Sequence, residues 1–200
     1  MCAGEQGANA LVWESLNKNA IMFYMKDDIF VYSNGVLIYK NKKYKCAVGK
    51  GGVKENKKEG DMATPVGCFL IREIFYRKDK MGRLVFPFET KAINKNDAWC
   101  DDLNDKRYNT YITLKDGEQS QERLWREDDL YDIVVVLGYN DAPVIFGKGS
   151  AIFMHVAREG YGLTHGCITL QKKDLIEILS NVSKKTKVCV TGKEWIGTMC

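Results

Sequence analysis

Both histidines of this 200-residue chain, His155 and His165, fall within ten positions of each other, and Cys167 follows two residues later. Histidine is so scarce here that folding cannot depend on it, and its clustering beside a thiol is a chemical signal. A free thiol has a pKa of roughly 8.5 and is only a few per cent thiolate at neutral pH. A neighbouring imidazole lowers that pKa and shuttles the proton, which makes the sulfur a nucleophile. His155 ends the apolar run SAIFMHVA (150–157), and Cys167 lies twelve positions further on, past Gly160, Gly162 and Gly166. A loop this rich in glycine can fold two elements back on each other so that imidazole meets sulfur. Gly166 lets the backbone bend and a substrate carbonyl approach closely. The amides of Gly166 and Cys167 are then natural oxyanion donors. On residue types alone, a buried structural cysteine with two histidines nearby by accident explains the pattern equally well.

Strands must position these residues. IFVY and VLIY flank an Asn34-Gly35 turn, and YKCAV follows Asn41-Lys42-Lys43, which predicts a β-meander over 29–48. The charged, glycine-rich stretch at 49–67 reads as a long loop. CFLIREIFY (68–76), IVVVLGYN (133–140), SAIFMHVA (150–157) and TKVCVTG near the end read as strands. Residues 89–130 are polar with scattered aromatics, which predicts a functional loop with short helices. KKDLIEILSNV carries apolar residues at 175, 176, 178, 179 and 182, a helical stripe. The expected fold is mainly β, a sandwich or barrel-like domain with a few short helices. Residues 1–28 are expected to form an N-terminal extension and 29–200 one domain.

Composition narrows the partners. Thirty basic against 26 acidic residues give a net charge of +4, spread thinly and without a basic block, which argues against nucleic acid. No apolar run approaches the roughly 20 residues of a membrane span. The N-terminal region lacks a signal-peptide layout, because its run Ala20–Met25 is short and ends in Lys26-Asp27-Asp28. Seven cysteines form no C-x-x-C pair, and two histidines without a carboxylate cluster make a poor zinc site, so no metal or cofactor is expected. A monomer is the default.

The pattern H-x(8)-T-H-G-C-I-T, from His155 to Thr169, resembles the signature of the L,D-transpeptidase catalytic domain (YkuD-type). KEGDMATPVGCFLI (58–71) resembles that family's K-x-E-G-D-x-x-T-P-x-G-x-F segment. WCDDLNDKRYN (99–109), RLWREDDLYDIVVVLGYNDAP (123–143) and GKGSAIFMHVA (147–157) resemble a proteobacterial subgroup, so the likeness covers about residues 29–191. The resemblance implies that Cys167 is the acylated nucleophile and His155 its base, oriented by a backbone carbonyl around Val156. It implies that Gly166 and His165 shape the oxyanion turn, and that Arg126, Tyr108, Asn109 and Thr164 line the substrate groove. Asn140-Asp141 and Glu59-Gly60-Asp61 with Thr64-Pro65 read as loop architecture.

Two departures stand out. The His-to-Cys spacing is shorter than in many members, and Thr169 occupies a position where the better-known branch has Arg or Asn. The implied partner is the peptidoglycan stem peptide and the implied location is the periplasm. The alternatives are an L,D-carboxypeptidase, a non-catalytic wall-binding module, or a cytoplasmic cysteine hydrolase. If the protein is exported, the other six cysteines are available to pair, but the sequence does not say which.

Overall fold

The structure is a computed structural model that describes residues 27–118 and 122–196. Most of the expected N-terminal extension, together with Cys2 and Cys200, lies outside the described residues. Alternating apolar residues build a meander of β1 (Ile29–Tyr32), β2 (Val36–Tyr39) and β3 (Lys42–Lys45). Gly35 closes the first hairpin with φ 76°, and a Cβ there would meet the Cys46 carbonyl at 2.8 Å. The second hairpin turns one position earlier than the sequence suggests. Lys40 and Asn41 both adopt left-handed backbone (φ 46° and 62°), the geometry of a tight two-residue turn, so β3 begins at Lys42.

The expected loop at 49–67 contains a short parallel pair, β4 (Val53–Lys54) and β5 (Thr64–Pro65). The ten-residue β6 (Gly67–Tyr76) leads to the one-turn helix α1 (Lys78–Met81) and to β7 (Thr90–Ala92). The segment 89–130 departs from expectation. Apart from the three residues not described, it holds no helix but β7 and the strands β8 (Asp97–Trp99), β9 (Tyr111–Thr113) and β10 (Glu122–Arg123), and the last three form a separate antiparallel sheet. Two- and three-residue strands are too short to show alternation, so their pairing is tertiary information. Then follow β11 (Ile133–Leu137), β12 (Phe153–Val156), β13 (Ile168–Leu170), α2 (Lys172–Leu179) and β14 (Lys187–Thr191).

The main sheet runs β13-β12-β11-β6-β14-β1-β2-β3, with β7 beside the second half of β6. Its two ends meet. Ala47, just past β3, exchanges two 2.9 Å backbone hydrogen bonds with Thr169 of β13, which closes the sheet into a barrel-like form. The core packs Ile29, Val31 and Leu37 against Met154, Ile168 and the buried face of α2, Leu175, Ile178 and Leu179. Full burial of each such side chain contributes about 1.5–3 kcal/mol. β11 is buried on both faces. Ile133, Val135 and Leu137 face the main core, whereas Val134 and Val136 pack with Phe153 and Cys167 beneath Trp99 and Trp125. A disulfide joins Cys68 of β6 to Cys189 of β14, which sit opposite each other in register.

Candidate active site

The period-two alternation of β12 sends Met154 and Val156 into the main core and turns His155 to the opposite face, alongside Phe153. The parallel register His155↔Thr169 sets Thr169 of β13 next to it on that face. His155 Nδ1 lies 3.0 Å from the Val156 carbonyl. A carbonyl only accepts, so in the neutral ring Nδ1 carries the proton and Nε2 keeps a lone pair. The Tyr131 ring packs edge-on against the imidazole, 4.9 Å between centroids. Burial pushes His155 down to about 4, which leaves it uncharged at neutral pH.

Cys167 stands at the entry of β13, 8% exposed, and its thiol donates to the Ala151 carbonyl at 3.3 Å. Burial, reinforced by the Glu122 carboxylate, pushes this thiol up to about 12. The direction is opposite to the sequence expectation that histidine would lower it. An imidazole that burial keeps neutral supplies no positive charge, so desolvation of the thiolate prevails. Both side chains line one cavity of about 250 Å³, with Glu122, Arg126, Tyr131 and Thr169.

The turn before the thiol is held from several sides. Thr164 Oγ1 donates to the Cys167 carbonyl at 2.5 Å and accepts from the Gly166 amide at 3.1 Å. Of the two amides expected to serve as oxyanion donors, that of Gly166 is therefore engaged within the turn. Gly166 has φ 132°, and a Cβ there would meet the Ala63 carbonyl at 2.8 Å, so glycine is required. Thr64 Oγ1, fully buried, donates to the Gly166 carbonyl at 2.9 Å and accepts from the Gly49 amide at 2.8 Å. Backbone bonds from Lys50 to the Thr164 carbonyl and from Thr164 to the Val48 carbonyl complete the brace. His165 is exposed at the cavity wall.

The L,D-transpeptidase catalytic domain (YkuD) matches residues 18–190. This chain belongs to that family. Solved structures similar to it include an L,D-transpeptidase from Mycobacterium smegmatis, at 12% identity and TM-score 0.39, with 84% of this chain and 59% of that one covered. L,D-transpeptidase 1 from Mycobacterium tuberculosis is 13% identical, TM-score 0.37, with coverage of 83% and 60%. A mutant of the helical cell shape determining protein Pgp2 from Campylobacter jejuni is 15% identical, TM-score 0.43, with coverage of 90% and 56%. The chain thus spans less than two thirds of each of these structures. No curated protein sequence matches it.

Within this L,D-transpeptidase domain, the residues singled out in the sequence divide into two groups. Arg126 lines the Cys167 cavity, with Nε and Nη2 on the Asp128 carboxylate at 2.9 and 2.7 Å and its guanidinium over the Tyr131 ring. Tyr108 and Asn109 do not line it. The buried Tyr108 hydroxyl donates to Glu59 and accepts from the Gly149 amide. Asn109 accepts from Trp99 Nε1 and the Ala151 amide and donates to the carbonyls of Tyr139 and Asn140. Both are spent inside the fold, where Asn109 fixes the segment whose carbonyl receives the thiol. Thr164, expected in the groove, touches the cavity, but its hydroxyl builds the turn.

Three cavity residues escaped the sequence reading. Glu122 Oε1 accepts a 2.6 Å hydrogen bond from the Tyr131 hydroxyl. The Thr169 hydroxyl is buried without a hydrogen-bond partner among the described residues. Thr169 was seen as a departure from the family pattern, but its place beside His155 follows from strand register alone. Nothing in the spacing of Glu122 or Tyr131 marked either. Among the described residues no group of three or more His, Cys, Asp or Glu side chains could hold a metal ion, and no helix is long and apolar enough to cross a membrane.

Proposed function

We propose that this chain is a peptidoglycan L,D-transpeptidase in which Cys167 is acylated by a stem peptide. The observation that carries the reading is the meeting of thiol, carbonyl-held imidazole and guanidinium in one cavity. With both partners neutral at rest, thiolate does not accumulate in advance. The S–H proton passes to His155 Nε2 as sulfur attacks the carbonyl of an L-centre. His155 then returns that proton to the nitrogen of the departing D-amino acid, and the C–N bond is replaced by a thioester. An acceptor amine attacks the thioester and regenerates the thiol.

Arg126 supplies the carboxylate grip. Two of its five N–H donors serve Asp128, and the others are available to a D-centre carboxylate. The substrate lies outside the inner membrane, and we assign the protein to the periplasm. A disulfide between Cys68 and Cys189 suits an oxidising compartment.

Mass spectrometry of muropeptides incubated with the protein and with Cys167→Ala tests the reading. The wild type is expected to yield cross-linked dimers or stems with an exchanged terminal D-residue, and the variant neither. Trimmed stems alone would assign the site to L,D-carboxypeptidase action. No product on stems of several lengths would overturn enzymatic function.

A further inference from the structure

A carboxylate beside a nucleophilic thiol works against it, because its charge makes the thiolate harder to form. Glu122 holds that position. It shares the cavity with Cys167, and its charge is among the causes that raise the thiol. The Tyr131 hydroxyl bonds to its Oε1 and favours the anion, while burial disfavours it. Around it stand Arg126 on the same segment, Tyr131 just before β11, and Asp101 after β8. Across the cavity are Cys167, His155, Arg158 and His165. A group that slows the first half of the reaction, yet is fixed by a buried tyrosine, points to the second half.

The acceptor reaches the site as an ammonium ion and has no lone pair with which to attack. We propose that Glu122 binds the acceptor ammonium in the Cys167 cavity and takes its first proton. The proposal rests on the acyl-transfer reading above. The carboxylate removes one proton from R–NH3⁺ to give R–NH2 and a carboxylic acid. The amine nitrogen then attacks the thioester carbonyl, so that a C–N bond forms and the C–S bond breaks. A second nitrogen proton passes through His155 Nε2 to the departing sulfur, and Glu122 releases its own proton to solvent. Arg126 and Glu122, of opposite sign in one cavity, together fit an amino-acid centre that bears both a carboxylate and an ammonium group.

Single-turnover measurements with a tetrapeptide stem donor and a D-amino acid acceptor test this, reading the ratio of amine transfer to hydrolysis from the same thioester. In Glu122→Gln the thioester is expected to form faster, since the opposing charge is gone, while the transfer ratio falls at least about tenfold at neutral pH. Transfer should recover as the pH rises toward the pKa of the amine itself, where no base is needed. A role in folding alone would not produce that rescue. Glu122→Asp, which keeps the charge, should lose less. An unchanged ratio, or thioester formation and transfer falling together without rescue at high pH, overturns the assignment while leaving the acyl-transfer reading in place. A wild type that forms no thioester overturns that reading, and this one with it.

Discussion

Burial sets the resting state of the catalytic pair at the residue scale. Between about 4 for His155 and about 12 for Cys167, imidazole and thiol are both uncharged, so the proton moves only when a substrate gives the sulfur something to attack. The same burial makes His155 a determinant of stability. Its native pKa lies below the ordinary 6.5, so between pH 6.5 and about 4 the unfolded chain binds a proton that the native one refuses. Stability is complete above that window and is lost as pH falls through it, by up to about 3 kcal/mol for this group. Calorimetry from pH 7 to 4 should show the slope, and His155→Gln should flatten it. Equal slopes in both proteins would contradict the burial argument. His155, Gly166 and Cys167 were legible because their types and spacing carry the chemistry directly. Glu122 was not, since its relevance lies in a distance across the cavity that no local spacing encodes.

Elements converge on the turn that carries the nucleophile. The hydroxyl of Thr64 ties β5 to the loop after β3 and to Gly166, so one side chain satisfies a buried amide and a buried carbonyl. Thr64→Val keeps the shape and leaves both groups unpaired, at about 1–3 kcal/mol each. It is expected to lower the melting temperature and to slow acylation of Cys167 together. A variant with full acylation and an unchanged melting temperature would show that the brace is dispensable. The segment KEGDMATP thus serves as architecture, as the sequence suggested for Thr64-Pro65. The meander, β6, β11 and α2 were legible because each is long enough to show its hydrophobic period. The sheet of β8, β9 and β10 was not, because strands of two or three residues show no period and pair only through tertiary contacts.

Across the whole molecule, two features tie distant parts of the chain together. The Ala47–Thr169 bonds close the main sheet beside the catalytic strand. The disulfide Cys68–Cys189 links positions 121 residues apart in adjacent strands. Cross-linking so long a loop restricts the unfolded chain and is expected to contribute about 2–4 kcal/mol. Cys68→Ser should lower the melting temperature in oxidising buffer and match the reduced wild type. Identical melting with and without reductant would show that the bond contributes nothing. The pairing was hidden in the sequence, which offers six candidate cysteines besides Cys167 and no local motif. Strand register resolves the Cys68–Cys189 pair. The central claim, that the sulfur of Cys167 becomes acylated by a stem peptide, is tested most directly by intact-protein mass spectrometry after rapid acid quench of a tetrapeptide-stem reaction. The account predicts an adduct of the stem minus its terminal D-residue, mapped to Cys167 and absent from Cys167→Ala. An adduct on another residue, or none at any quench time while product accumulates, would contradict it.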